Sequence, residues 1–189
     1  YKWVQANVTN LTPEVAEEID FRIAACLFSQ VDWAPAQKAF EAFLKKYERS
    51  PVRQQVLYMN ALCSFFQGKY KETKADFDKY EQEYPKGQFI PDVRYRQAIV
   101  KFGVNPPDIP GTIKLCEDWL KDYAKDNTDE VIAQTPEVHT LIGDAHIRLA
   151  DELDKKIKAA DLELRLNSRS PDKAKYAEAK AKLEKEKET

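Results

Sequence analysis

A period of 37 residues repeats along this chain between residues 19 and 102, and a fixed period of that length admits few architectures. The segments IDFRIAACLF from Ile19, VLYMNALCSF from Val56 and VRYRQAIVKF from Val93 superpose column by column. Ile19, Val56 and Val93 coincide, as do the aromatics Phe21, Tyr58 and Tyr95 and the alanines Ala24, Ala61 and Ala98. Cys26 and Cys63 share a column with Val100, and Phe28 and Phe65 share one with Phe102. A second segment with its own register follows each block. In it Phe40, Phe77 and Cys116 align, then Phe43, Tyr80 and Trp119, then Tyr47, Tyr84 and Tyr123. The last step in this set is 39 residues, and the proline-rich connection at 106–110 is the natural place for the extra two.

Both segments carry apolar residues three and four apart, which is the period of a helix. Asp32, Gly68-Lys69 and the run 106–111 break the pattern between paired helices, and Ser50-Pro51 and Pro85-Lys86-Gly87 break it between repeats. The unit is therefore helix A, a short turn, helix B and a loop. One such pair cannot bury its apolar stripe alone, and stacking of neighbours completes a continuous core. Thr12 is expected to cap the first helix, with Pro13 at its first position and Glu14 in its first turn. A fourth unit is expected from Pro136-Glu137, with Gly143 at the small-residue position of the earlier A helices and helix running on to about Leu166. After 167–172, the segment KAKYAEAKAKLEKEKET is a strong helix former with Ala174, Ala177, Ala181 and Leu183 on or near one face. It is either a capping helix or the next B helix after an enlarged insertion. The expected organisation is a lead-in over 1–13, a repeat array over 14–166 and a charged C-terminal helix over 167–189. The repeats within the array run 14–50, 51–88, 89–127 and 136–166, about 3.5–4 stacked antiparallel helix pairs in an all-α solenoid.

Composition narrows the function. Thirty Lys+Arg stand against 32 Asp+Glu, a net charge of −2, so no basic excess exists to neutralise a phosphate backbone and nucleic acid is not expected as a partner. Only five glycines are present, too few for a turn-rich β fold. No uninterrupted apolar run is long enough to span a membrane. The chain carries no Gly-rich phosphate loop, no H-E-x-x-H and no G-x-S-x-G, so the reading is non-enzymatic, without cofactor or metal. His139 and His146 lie seven residues apart, roughly 10 Å of helical rise, too far for both to hold one zinc ion, and both read as structural. The three cysteines read as small buried hydrophobes. Cys26 and Cys63 sit on helices whose axes, roughly 8–10 Å apart, place a disulfide out of reach. Asn7 and Asn10 open two glycosylation sequons, a motif common by chance.

Ala24 in helix A stands twelve residues before Ala36 in helix B, and helix B continues as A-x-x-x-F-x-x-F through Phe40 and Phe43 to a closing Tyr47. Ala61, Thr73, Phe77, Tyr80 and Tyr84-Pro85 repeat the scheme. Over about residues 15–150 the chain resembles the tetratricopeptide-repeat proteins. Its Y-x-x-S-P and Y-P helix ends are more similar to a bacterial envelope subset, the outer-membrane assembly lipoprotein with tandem repeats and the periplasmic coordinator of the Tol–Pal system. The resemblance implies a right-handed α-solenoid whose A helices line a concave face that holds a protein or peptide partner, in the periplasm or at the outer membrane. The chain departs from the family in its period of 37–39, in Thr73 and Thr112 where helix B usually has Ala, and in Glu48 where Pro is frequent. The family's groove positions fall on Phe21, Phe28, Tyr58, Phe65, Tyr95 and Phe102. Within each helix the two rings are seven apart, on one face, and stacked repeats would align them as a ladder for an extended or helical peptide. The alternative is that the rings pack between helices. Arg94 and Arg96 flank Tyr95 and either meet an acidic partner or lie on an ordinary solvated face. A structural role is the second functional class, as part of a longer array or a homo-oligomer associating through terminal helices.

Overall fold

The computed structural model describes residues 10–125, 128–167, 169 and 172–188, with the backbone alone at Glu130. Most of the expected lead-in, including the Asn7 sequon, lies outside the described residues. Among the described residues the chain is all-α, with eight helices and no strand. They are α1 (Pro13–Ser29), α2 (Trp33–Lys46), α3 (Arg53–Phe66), α4 (Tyr70–Glu83), α5 (Ile90–Gly103), α6 (Ile109–Tyr123), α7 (Asp129–Leu166) and α8 (Lys173–Glu188). Each packs on the next in chain order. Cross-links show that paired helices run antiparallel: Tyr47 Oη at the end of α2 donates to Asp20 in the first half of α1 at 2.8 Å, and Ser50 Oγ just beyond it donates to Glu17 at 2.6 Å. Arg53 and Gln54, at the start of α3, reach Glu83 and Tyr80 near the end of α4.

The aligned columns become the core. Ile19, Val56 and Val93 are buried, as are Ala24, Ala61 and Ala98 on the A helices. On the B helices Ala36, Thr73 and Thr112, then Phe40, Phe77 and Cys116, then Phe43, Tyr80 and Trp119 are all buried. Threonine replaces alanine in helix B because its hydroxyl finds a partner within its own helix. Thr73 Oγ1 donates to Lys69 O, and Thr112 Oγ1 to Asp108 O, both at 2.9 Å. Thr12 caps α1 through a side-chain bond to Val15 N–H, with Pro13 in the first turn, as its sequence signature predicts. Turns 30–32, 67–69 and 104–108 link the helices within each pair, and the third is two residues longer, which absorbs the change of period. That turn ends before Ile109, so Pro110 and Gly111 already belong to α6, where the Asp108 side chain accepts from Gly111 N–H. The first two turns share a left-handed residue at equivalent positions, Val31 (φ 64°) and Gly68 (φ 69°), a conformation a β-branched residue rarely holds.

Several expectations are corrected toward the C-terminus. The fourth unit begins at Asp129 rather than Pro136, and Pro136 lies inside the 38-residue helix α7. Its position is exposed, so water can serve the Ile132 carbonyl that the missing proline N–H leaves unpaired. Gly143 is exposed, with nothing within 4 Å of where a Cβ would sit, because no helix covers that stretch of α7 as a B helix would. The buried small residue there is Ala145. His139 and His146 each follow a buried position by one residue and face outward, so His146 is not a packing residue. Helix α8 lies antiparallel along the last third of α7, tied by Lys180 to Asp161 and by Lys187 to Asp154. It presents Tyr176, Lys180 and Leu183, while Ala174, Ala177 and Ala181 are exposed. Cys26 is exposed as well, unlike Cys63 and Cys116. Cys63 points at α1 and α2, and no described helix stands in the matching place beside α1.

Candidate functional site: the A-helix groove

The A helices are α1, α3, α5 and the first part of α7. All six rings singled out by the repeat register are half-buried and touch neighbouring helices. Phe21 meets Phe43 edge-on at 6.2 Å, and Phe28 meets Trp33 at 5.0 Å. Phe65 lies beneath the Arg96 guanidinium, 5.1 Å from the ring centre, and Phe102 beneath that of Arg148 at 5.2 Å. Tyr95 packs against the cluster built on Ala98, Cys116 and Trp119. Tyr58 stacks on Phe89 with ring centres 4.2 Å apart and planes 7° from parallel. The rings thus occupy seams between successive helices.

One of these seams opens into a groove of about 590 Å³, where three A helices converge. Tyr58 comes from α3, Pro91 and Asp92 from the first turn of α5, and Val131 and Gln134 from the first turns of α7. Phe89 and Gln88, in the loop before α5, complete the wall. Asp92 is the polar hub. Its Oδ2 accepts from Tyr58 Oη at 2.6 Å and from Arg96 Nε at 2.5 Å, and its Oδ1 accepts from Gln134 Nε2 at 2.5 Å. A carboxylate with three donors is fixed in place, and it holds three helices in register. Gln134 Oε1, by contrast, is buried without a hydrogen-bond partner, so the groove contains one unanswered acceptor.

Burial holds the Tyr58 phenol well above its usual range, and the Asp92 carboxylate adds to the effect. Burial, with Glu137 alongside, pushes Tyr95 up to about 12. Both hydroxyls therefore stay neutral donors at physiological pH. The same seam recurs one repeat earlier in a cavity of about 250 Å³, where Phe21 replaces Tyr58 and Val52 replaces Phe89. Three carboxylates, Glu14, Glu17 and Glu18, line that smaller cavity.

The register located Tyr58 and its column but not the hub. The Asp92–Arg96 spacing of four is a readable helical pair. Gln134 had no such signal, since it lies before the proline expected to begin the fourth unit. Arg94 and Arg96 are engaged inside the protein, Arg94 with Glu81 and Asp122 and Arg96 with Asp92. Burial raises the thiols of Cys63 to about 12 and Cys116 to about 11, so neither is a thiolate at neutral pH. Among the described residues no group of three or more His, Cys, Asp or Glu is placed to hold a metal ion, and no helix is long and apolar enough to cross a membrane. The groove combines apolar walls, a fixed carboxylate and a buried amide carbonyl without a hydrogen-bond partner. Neither a scan against known protein families nor a search of curated proteins returns a match for this chain.

Proposed function

We propose that this protein is a non-enzymatic scaffold of tetratricopeptide type, whose A helices form a concave face that holds a segment of another protein. The observation that carries the reading is the convergence of α3, α5 and α7 on one groove with apolar walls and a buried acceptor, Gln134 Oε1, left without a donor. An extended segment can supply a backbone N–H to that carbonyl and lay an apolar side chain against Tyr58 and Phe89. The recurrence of a smaller cavity one repeat away suits a segment that runs across successive A helices. A site in a bacterial envelope belongs to this proposal on the likeness of the helix-B ends alone.

Gln88 is exposed at the groove wall, so Gln88→Trp fills the groove while leaving the core untouched. Lys114→Trp, on the exposed side of α6, is the matched control. Affinity capture from the native extract is expected to lose one specific protein with Gln88→Trp and keep it with Lys114→Trp, with both variants melting like wild type. Capture unchanged by Gln88→Trp rejects the groove as the binding face. The assembly reading is favoured by a different observation, the open face of α7 at Gly143, where Ile132 and Ile147 are 56% and 65% exposed. Molar mass that rises with concentration separates it from the groove reading.

A further inference from the structure

Helices α7 and α8 meet along a seam that α7 continues beyond the stretch α8 covers. In the last third of α7 the half-buried residues Asp154, Ile157, Asp161 and Leu164 recur three and four apart. Helix α8 answers with Tyr176, Lys180, Leu183 and Lys187 at the same spacing. Two ion pairs fix the antiparallel register, Lys180 Nζ to Asp161 Oδ1 at 2.7 Å and Lys187 to Asp154. Alternation of three and four keeps one line of side chains facing a partner helix, as in a coiled coil. Carried back along α7, the same alternation passes through Ala150, Ile147, Gly143, Thr140 and Pro136. Ala150 is half-buried and the other four are exposed. Ile132, also exposed, lies one turn further back. The uncovered seam from Pro136 to Ala150 is thus collinear with the covered one and runs for about four turns, roughly 21 Å.

Two features of the uncovered stretch have no reason inside the protein. Gly143 weakens the middle of a helix, and nothing lies within 4 Å of where its Cβ would sit. The missing Cβ instead lets a second backbone approach closely. Asp144 and Asp151, seven residues apart beside Gly143 and Ala150, are exposed and form no ion pair among the described residues. Asp154 and Asp161, also seven apart, each meet a lysine of α8. Arg148, one turn from Asp144, is turned toward α5, where it donates to Phe102 O at 3.2 Å and covers the Phe102 ring. A cationic helix therefore finds on the open stretch the same chemistry that α8 finds on the covered one. A second copy of this face would set Asp144 and Asp151 against their own duplicates, a like-charge contact that disfavours an isologous pair.

We propose that residues 132–150 of α7 dock a basic amphipathic helix of another protein, laid in line with α8. Its apolar side chains pack on Ile132, Ile147 and Ala150 around the close approach at Gly143, and its lysines or arginines meet Asp144 and Asp151. The face is the one on which the assembly reading rests, and the occupant is now a helix of stated chemistry from a different polypeptide. The surface shares no residue with the A-helix groove and stands independently of it.

Fluorescence anisotropy of labelled synthetic peptides titrated with the full chain tests this directly. The probe is a peptide of about 20 residues, long enough to form a helix, with leucine at alternating three- and four-residue spacing and lysine and alanine elsewhere. One control replaces its lysines by glutamate, and another scrambles its order. The lysine peptide is expected to bind saturably, and both controls at least about tenfold weaker, the loss of roughly one charge-assisted contact. Gly143→Gln improves the helix and blocks the close approach, so it is expected to melt no lower than wild type and to weaken the lysine peptide at least about tenfold. Asp144→Lys combined with Asp151→Lys is expected to invert the preference, so that the glutamate peptide binds the tighter. No saturable binding of the lysine peptide up to about 1 mM overturns the proposal, as does affinity unchanged in Gly143→Gln or equal affinity for the lysine and glutamate peptides. Molar mass that rises with concentration in the wild type but not in Gly143→Gln assigns the face to a second copy of the chain and overturns it likewise.

Discussion

Asp76 shows how a single buried carboxylate sets a pH dependence. Desolvation raises its pKa in the fold, and the hydrogen bond from Ser64 only partly opposes the shift. A folded-state pKa above the unfolded one means that the native state binds the proton more tightly. Stability is therefore highest below the unfolded value and falls as pH rises through the interval between the two. Asp76→Asn removes the charge and keeps an oxygen to accept from Ser64. It is expected to raise Tm at pH 7, by roughly 2–4 °C for each kcal/mol recovered. The gain should fade below about pH 4, where Asp76 itself is protonated in both states. Thermal melts of the two proteins at pH 3.5 and pH 7 measure it, and a gain of equal size at both values contradicts the assignment. The register in the sequence marked Phe77, one residue on, as core, but nothing in it distinguished Asp76 from the many solvated acids of the B helices. Burial of a carboxylate depends on how the next helix crosses it, which period alone does not encode.

At the scale of the element, the link between successive repeats turns on one contact. A Cβ on Gly87 would fall 2.4 Å from Tyr80 Oη and 2.4 Å from Gln54 Nε2, two groups already hydrogen-bonded at 2.8 Å. Tyr80 is fully buried and cannot swing away. The preceding repeat contains the complementary solution: Phe43 replaces Tyr80, without a hydroxyl, and Ser50 replaces Gly87, with a Cβ. Hydroxyl and Cβ thus compete for one space, and each of these two repeats contains only one of them. Gly87→Ala is expected to cost about 1–3 kcal/mol, the range for overpacking. In a Tyr80→Phe background the same change should cost clearly less, so a double-mutant cycle by urea melts gives a favourable coupling. Additive effects would mean that the loop at 84–89 simply moves aside. The first six helices, their pairing and most of the buried columns were legible from the 37-residue register, because an apolar stripe repeated at fixed spacing has one way to be buried. The groove was legible only in part. Tyr58 stood in an aromatic column, whereas the partners that complete it, Phe89, Asp92 and Gln134, come from helix starts and loops where the periodic signal stops.

The whole molecule divides by how its parts are held. From α1 to the first part of α7, each helix is fixed by large buried side chains, with Phe40, Phe43, Phe77, Tyr80 and Trp119 almost wholly enclosed. Helix α8 contributes no buried residue and is tied to α7 by Tyr176, Leu183 and the Lys180–Asp161 and Lys187–Asp154 pairs. Ion pairs of that exposure contribute little and weaken with salt. Stability in an array of this kind is close to a sum of nearest-neighbour terms, so losing a weakly docked end should leave the rest standing. Removing 167–189 is expected to shift the melting of the array by less than about 3 °C, for a loss of under about 1 kcal/mol. The last third of α7 should respond differently. Leu153 is its buried anchor, and beyond it the helix carries Lys155, Lys156 and Lys158 with little apolar cover except α8. A single exposed helix of that length is marginal in water, so residues 154–166 should fray. Hydrogen exchange is the measurement that separates the two levels. Amides of α2–α6 are expected to keep their protection in the truncated chain, while those of 154–166 lose theirs. In the full chain, raising the salt concentration should move the same 154–166 amides, with those of α8, toward faster exchange and leave α2–α6 unchanged. Loss of protection throughout the array on truncation would make α8 an integral layer of the stack, bound through its half-buried Tyr176 and Leu183 rather than through its charges.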